Sequence, residues 1–301
     1  MDVPTMPYVS LITPVHNGAR FIDACLREIT RTLEQLEKPF EVLVICDGCD
    51  DGTEAIASAI GDARVRVLQY ADNYGKGYAL CYGIHHARGR LIGWLDADLD
   101  IHPRAIVEAA LEFERGPADA VLGSKRHPDS AVDYPLERRI LSWGYQRLVR
   151  TLLRVDARDT QVGAKLFRRE MLDTVVPLLL IKAYAFDLEV LAVGAEFGFD
   201  RVMEIPIELD YRFSGSGINL HAVRMMFQDT LAIAYRIHLR RWYVRQYARL
   251  QRERMDVLAA AGANAASRVE LPSAPNGTLN LIRQRFAITL PTEPRPGQTE
   301  R

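Results

Sequence analysis

The sequence predicts an α/β fold, a mostly parallel central sheet with helices on both faces. Over the first 125 residues, apolar runs of strand length alternate with stretches of helical periodicity. Most of the runs are predominantly apolar, as strands covered on both faces read. Each run also empties into a polar loop. Right-handed crossovers gather such loops at one sheet edge, where open α/β sheets bind ligands.

In order, "YVSLITPV" (8–15) reads as a strand and "ARFIDACLREITRTLEQL" (19–36) as an amphipathic helix. "FEVLVIC" (40–46) is a second strand, followed by the turn "DGCDDGT" and a helix through "EAIASAI". "VRVLQY" (65–70) is a third strand and "GYALCYGIHHA" (77–87) a helix. "RLIGWLD" (90–96) is a fourth strand, "AIVEAALEFE" (105–114) a helix, and "ADAVLGS" (118–124) closes the run. Beyond residue 125 the alternation stops. "LERRILSWGYQRLVRTLLR" (136–154) reads as a helix with a basic face, "GAKLFRREML" (163–172) as a strand entering a helix, and "AFDLEVLAVGAEFG" (185–198) as a helix. "RVMEIPIEL" (201–209) is a strand that Pro206 assigns to an edge, since proline has no N–H for a ladder. A long helical stretch from 218 to about 254 follows, then a low-complexity, flexible tail over 255–301 in which "LNLIRQRFAITL" (279–290) is a candidate docking segment.

With 301 residues, 48% of them hydrophobic, and a net charge of −1, the chain buries a core and carries no global field that draws nucleic acid. Its longest apolar stretches, such as "VVPLLLI" (175–181), fall short of the roughly 20 residues that cross a bilayer. "MDVPTMPYVS" lacks the basic and apolar regions of a signal peptide. Cys46 and Cys49 in "CDGC" have redox or zinc spacing, but no second pair or histidine partner follows. The four cysteines are read as reduced thiols of a cytoplasmic protein.

"LIGWLDADLDIHP" (91–103) places Asp96, Asp98 and Asp100 two apart at the end of a buried strand. In an extended segment Asp96 and Asp98 point the same way. Two converging carboxylates suit Mg²⁺ or Mn²⁺, which takes its remaining ligands from phosphate and water. The competing reading is a helix N-terminal cluster, and Asp100 fits that better, as a cap with Pro103 in the first turn.

"VSLITPVHN", "DGCDDGT", "NYGKGYALCYG" and "LDADL" resemble, in order and spacing, the inverting family 2 glycosyltransferases of the GT-A fold. "DTQVGAKLFRR" (159–169), "AFDLEVL" (185–191) and "EIPIEL" (204–209) resemble its polyprenyl-phosphate branch, dolichyl-phosphate glucose synthases first and mannose synthases second. The resemblance covers residues 8 to about 217. It implies a GT-A domain over 1–217, with a nucleotide-sugar half (1–100) and an acceptor half (101–217), followed by a basic amphipathic region (218–254).

The resemblance also implies roles. Asp47 accepts a hydrogen bond from the nucleotide base, and Pro14, Val15 and Asn17 line base and ribose. Asn73 and Lys76, in a glycine-bearing loop before a helix, face the diphosphate, where N–H groups and an ammonium favour an anion. Asp96 and Asp98 hold the metal against the diphosphate and stabilise the leaving group. Gln161, Lys165, Asp187 and Glu189 form the acceptor wall; if 187–189 is helical, at most one of its two acids points into the site. Asp187 is then an orienter for a phosphate acceptor, already largely ionised at pH 7, or a base for a hydroxyl acceptor. Lys125, Arg126 and Arg168 are the cations expected near an acceptor phosphate. Gly18, Cys46 and Gly217 depart from the family pattern, which has acidic residues at the first two positions and lysine near the third. The first two bear on nucleotide preference, the third on acceptor contacts.

The stretch 218–254 carries eight arginines against Asp229 and Glu253, interleaved with Met225, Met226, Phe227, Leu231, Ile233, Ile237, Trp242, Tyr243 and Tyr247. That pattern fits a peripheral, reversible membrane helix on the cytoplasmic face, or a helix packed on the domain or on a sister subunit of a homo-oligomer. The function expected is transfer of a hexose, from UDP-glucose first and GDP-mannose second, to a polyprenyl phosphate. A family 2 enzyme with a soluble hydroxyl acceptor is the alternative, and a non-catalytic nucleotide-binding scaffold comes last.

Overall fold

The computed structural model describes residues 6–130, 136–181, 185–208 and 220–264. Seven strands form one sheet: β1 (Val9–Val15), β2 (Phe40–Asp47), β3 (Val65–Tyr70), β4 (Leu91–Trp94), β5 (Ala120–Ser124), β6 (Lys165–Arg168) and β7 (Val202–Pro206). Their order is β3-β2-β1-β4-β6-β5-β7. All pair in parallel except β6, which runs antiparallel to both β4 and β5. Pro206 ends the edge strand β7, as its missing N–H requires.

Helices cover both faces. On one, Val9, Leu11, Val42, Val44 and Cys46 pack into a single core with α1 (Ile22–Leu33) and α4 (Arg104–Arg115). The intervening side chains, among them Ile12, Leu43 and Ile45, are equally buried. On that second face α3 (Lys76–His86) lies against β1 and β2. There Trp94 stacks on Phe167 at 4.7 Å and meets Phe186 at 6.1 Å. Full burial on both sides explains why these strands are continuously apolar. The remaining helices are α2 (Thr53–Ser58), α5 (Leu136–Leu153), α6 (Arg169–Val175), α7 (Phe186–Glu196), α8 (Leu220–Ala234) and α9 (Trp242–Asn264).

Three expectations change. The single helix from 218 to about 254 is two: α8 passes into a π turn (Tyr235–Leu239), and Arg241, at φ +44°, breaks the run before α9. The low-complexity segment 255–264 is helical, as the last turns of α9. Asp100 does not cap α4; His102 Nδ1 accepts the Arg104 N–H instead, at 3.1 Å. By internal contacts the chain divides into two compact units, 1–244 and 245–301, and the sheet belongs to the first. The segment 279–290 and Gly217 lie outside the described residues.

Candidate active site at the C-terminal edge of the sheet

The loops after β1 and β2 are clipped together. Asn17, at φ +53°, accepts the Asp50 N–H on Oδ1 (3.0 Å), and the Gly18 and Ala19 N–H groups reach Thr53 Oγ1 (2.8 Å) and Asp51 Oδ2 (2.9 Å). A Cβ at Gly18 would stand 2.5 Å from Val15 Cγ2 and 2.9 Å from the Phe21 ring, so a larger residue there would displace one of these side chains. Cys46 faces the core, where burial first and then the Cys49 thiol push its own thiol up to about 12. All four cysteines are free thiols.

Asp47 ends β2 nearly buried, and its two oxygens accept the N–H groups of Tyr74 (2.8 Å) and Gly75 (2.9 Å). Asn73 Oδ1 accepts the same Gly75 N–H at 3.0 Å, closing an Asx turn. Asp47 thereby shapes the loop that delivers Lys76 to the first position of α3. The Lys76 ammonium pairs with Asp96 Oδ1. Burial works against that ammonium, but the charges of Asp96, Asp187 and Asp98 together raise its pKa.

Strand β4 stops at Trp94, so Asp98 stands in a turn rather than in extended chain. Half-buried Asp96 and exposed Asp98 flank buried Ala97, and Leu99 follows at φ +58°, an uncommon conformation for a bulky side chain. Asp98 Oδ1 accepts the Asp100 N–H (3.2 Å). Loss of solvent and the Asp96 charge raise the Asp98 carboxyl above its ordinary pKa. Gly163, not anticipated, matters here: a Cβ on it would fall 2.1 Å from Asp96 Oδ2. Neighbouring carboxylates, one of them paired with the Lys76 ammonium, fit a hard divalent cation, which would relieve their repulsion. Among the described residues no three His, Cys, Asp or Glu side chains gather at one point, so further ligands would come from phosphate and water.

Behind this pair lies a buried one. Lys165, wholly buried at the start of β6, donates to the Val162 carbonyl and pairs with Asp187 Oδ2 at 3.1 Å. Burial holds its pKa below the ordinary lysine value, against the raising effect of Asp187. Asp187 Oδ1 is buried without a hydrogen-bond partner. Asp187 sits on the first turn of α7, a favourable place for a carboxylate.

The half expected to face an acceptor is richer in arginine than the sequence suggested. A cleft of about 500 Å³ is lined by Arg126, Gln146, Arg147, Arg150, Thr151 and Arg158. Gln146 is 8% exposed and its Oε1 has no partner. Arg150 pairs with Asp156 (3.0 Å) and Arg158 with Glu204 (3.8 Å). The segment from Arg158 through Gln161 to Gly163 runs from this cleft to Asp96, and Asp159 Oδ2 accepts the Lys125 N–H at 3.3 Å. The three-residue spacing of Arg147 and Arg150 was the available signal for this basic helix face.

Three expected site residues stand elsewhere. Arg168 is at the far end of β6; because β6 is antiparallel, Arg168 pairs with Leu91 at the opposite edge, donates to the Ala118 carbonyl and lies over Phe113. Glu189 is fully buried and satisfied by the N–H groups of Leu180 (2.9 Å) and Ile181 (2.7 Å), the Tyr243 hydroxyl (2.5 Å) and Arg236 (3.5 Å). The Val15 side chain belongs to the core, while Pro14 is half-buried beside it.

The family model for glycosyl transferase family 2 matches residues 10–176, more than half of the 301. Glycosyltransferase AglD of Haloferax volcanii is 36% identical over 204 residues, which are 66% of this chain and 32% of that protein, so the chain spans about a third of that relative's length. Dolichyl-phosphate beta-glucosyltransferase of Dictyostelium discoideum is 27% identical over 254 residues, 79% of this chain and 77% of that one. Among solved structures, glucosyl-3-phosphoglycerate synthase from Mycobacterium tuberculosis, in complex with Mn²⁺, UDP-glucose and phosphoglyceric acid, has a TM-score of 0.57 at 18% identity, covering 76% of this chain and 79% of that chain. The fold is that of the GT-A glycosyltransferases. The chain belongs to glycosyl transferase family 2 and is a glycosyltransferase.

Proposed function

We propose that this enzyme transfers glucose from UDP-glucose to a polyprenyl phosphate with inversion, at a membrane surface and with a divalent metal. The observation that carries the reading is the pairing of a donor-type edge (Lys76, Asp96, Asp98) with an arginine cleft joined to it by residues 158–163. The relatives named dolichyl-phosphate beta-glucosyltransferase support the lipid acceptor and the glucose. The structural neighbour crystallised with Mn²⁺ and UDP-glucose supports the donor and the metal.

In this reading Asp96 and Asp98 would hold the cation, which supplies charge neutralisation at the departing diphosphate. Lys76 at the start of α3 adds a second positive charge at the same place. The acceptor phosphate sits among Lys125, Arg126 and the cleft arginines, with Gln161 beside it. Its oxygen is already largely ionised at neutral pH and attacks the anomeric carbon from the side opposite the diphosphate. Asp187, fixed by Lys165, orients the acceptor.

A second reading has its own observation. The unpartnered Oδ1 of Asp187 is what a hydroxyl acceptor requires of a base, and the M. tuberculosis neighbour, a glucosyl-3-phosphoglycerate synthase, was crystallised with phosphoglyceric acid. Radiolabelled UDP-glucose, Mg²⁺ and a short prenyl phosphate separate the two, with label expected in the lipid. If neither UDP-glucose nor GDP-mannose labels lipid, the acceptor assignment is wrong. Asp187→Asn sharpens the result, since a phosphate acceptor retains turnover to within about tenfold whereas a hydroxyl acceptor loses about 10²–10⁴-fold.

A further inference from the structure

Helix α8 and the π turn that follows it are apolar on two sides. Thr230, Ile233, Ala234 and Ile237 face inward and are buried. On the outer side Val223, Phe227, Leu231, Tyr235 and Leu239 recur every four residues, each at least 44% exposed and Leu239 74% exposed. A four-residue step drifts about 40° around an α-helix, and the wider π turn takes up part of that drift at the end of the row. A helix in water does not ordinarily present such a row.

The same π turn helps to line a cavity of about 490 Å³, through Ile237 and His238. Across the cavity stand Arg154 and Arg241, with Glu196 the one acid in its wall. Both arginines hold left-handed backbone conformations, at φ +56° and +44°. That conformation is disfavoured for a non-glycine residue, and strain of this kind collects at functional places. His238 is fixed by the Leu152 carbonyl, 2.6 Å from Nε2. From Thr230 to Val244 the sequence has three arginines and no acid.

We propose that the outer face of α8 and its π turn form a lipid-contact surface, with the Arg154–Arg241 cavity receiving the phosphate of an anionic phospholipid. Charge decides the occupant: a second copy laid on this face would bring arginine against arginine, whereas an anionic bilayer complements both the row and the cavity. Arg236, Ile233, Ile237 and Tyr243, which a sequence-based interfacial helix would turn toward lipid, are instead committed to the protein. The surface would place the arginine-cleft half of the enzyme where a prenyl phosphate is anchored, and in that sense rests on the lipid-acceptor reading.

Co-sedimentation of the full chain with phosphatidylglycerol-containing and pure phosphatidylcholine vesicles tests it. The protein should bind the anionic vesicles preferentially, and salt should weaken the binding. Leu231→Asp with Leu239→Asp should reduce partitioning at least about tenfold, and the milder Leu231→Ser with Leu239→Ser should reduce it less. Arg154→Asn with Arg241→Asn keeps residues that tolerate the left-handed conformation and should erase the preference for anionic lipid. All three double variants should glucosylate a short, water-soluble prenyl phosphate at the unmodified rate. Failure of the unmodified chain to bind anionic vesicles overturns the proposal. So does a dimer by light scattering that Leu231→Asp dissociates while vesicle binding persists. Vesicle binding without transfer to any lipid would leave this surface standing and remove the acceptor reading instead.

Discussion

At the N-terminal edge of the sheet the charged side chains are matched. Glu41 accepts the Ser10 hydroxyl (2.6 Å), the Arg88 N–H (2.7 Å) and the Arg66 guanidinium (2.9 Å), and Asp119 takes Arg201 on both oxygens (2.7 and 2.9 Å). Arg168 and Arg169 cap carbonyls there. At the C-terminal edge Asp96 takes Lys76 while Asp98 beside it has its carboxyl raised, and Asp187 has one oxygen on Lys165 and the other bare. Thr13 Oγ1 and Trp94 Nε1, also toward that edge, are buried without partners. Buried polar groups are ordinarily satisfied, so incomplete matching concentrated at one edge marks where a ligand completes the set. One edge is built for stability. The other is left unfinished for chemistry.

The largest test of this contrast is Lys165→Met, which strands the Asp187 carboxylate; a broken buried pair costs about 3–5 kcal/mol, read by denaturant unfolding. Asp96→Asn or Asp98→Asn should lower kcat about 10²–10³-fold, the usual loss for a group that stabilises developing charge. In metal-free buffer Asp98→Asn should nevertheless raise Tm. The folded pKa of Asp98 is raised, so its ionised form is disfavoured at neutral pH and acidification through that pKa relieves the cost. Gly163→Ala should displace the Asp96 carboxylate at little cost in stability, and should weaken metal-dependent donor binding more than metal-free UDP binding.

The smallest effect has the opposite sign. Burial would raise Asp119, but its bonds from Arg201 bring it below the ordinary aspartate value. Its stabilisation is therefore present above the unfolded pKa of about 4 and lost as pH falls through the lower folded value. Asp119→Asn should lower Tm slightly at pH 7 and flatten the acid limb of the stability profile. Equal pH responses for Asp98→Asn and Asp119→Asn would erase the distinction between the edges.

Much of the site edge was legible because topology alone delivers it. Parallel strands with right-handed crossovers bring Asp47, Asn73, Lys76, Asp96 and Lys125 together without any knowledge of packing. Arg168 was misplaced because nothing in "GAKLFRR" announces that β6 runs backwards, and strand reversal carries its last residue to the other edge. Glu189 was misplaced because its partners, Ile181 and Tyr243, are 8 and 54 residues away. Gly163 was invisible because its requirement is a close approach, known only once Asp96 has a position. The break at Arg241 escaped the sequence because helical periodicity continues across it.

Asp96 and Asp98 are proposed to hold a cation jointly with the donor diphosphate. Thermal shift with UDP, Mn²⁺ and both together measures it, because a ligand that binds the native state raises Tm. The shift for the pair should exceed the sum of the separate shifts, and Asp98→Asn should lose that excess. An identical UDP shift with and without Mn²⁺, or an excess that survives in the variant, would contradict it.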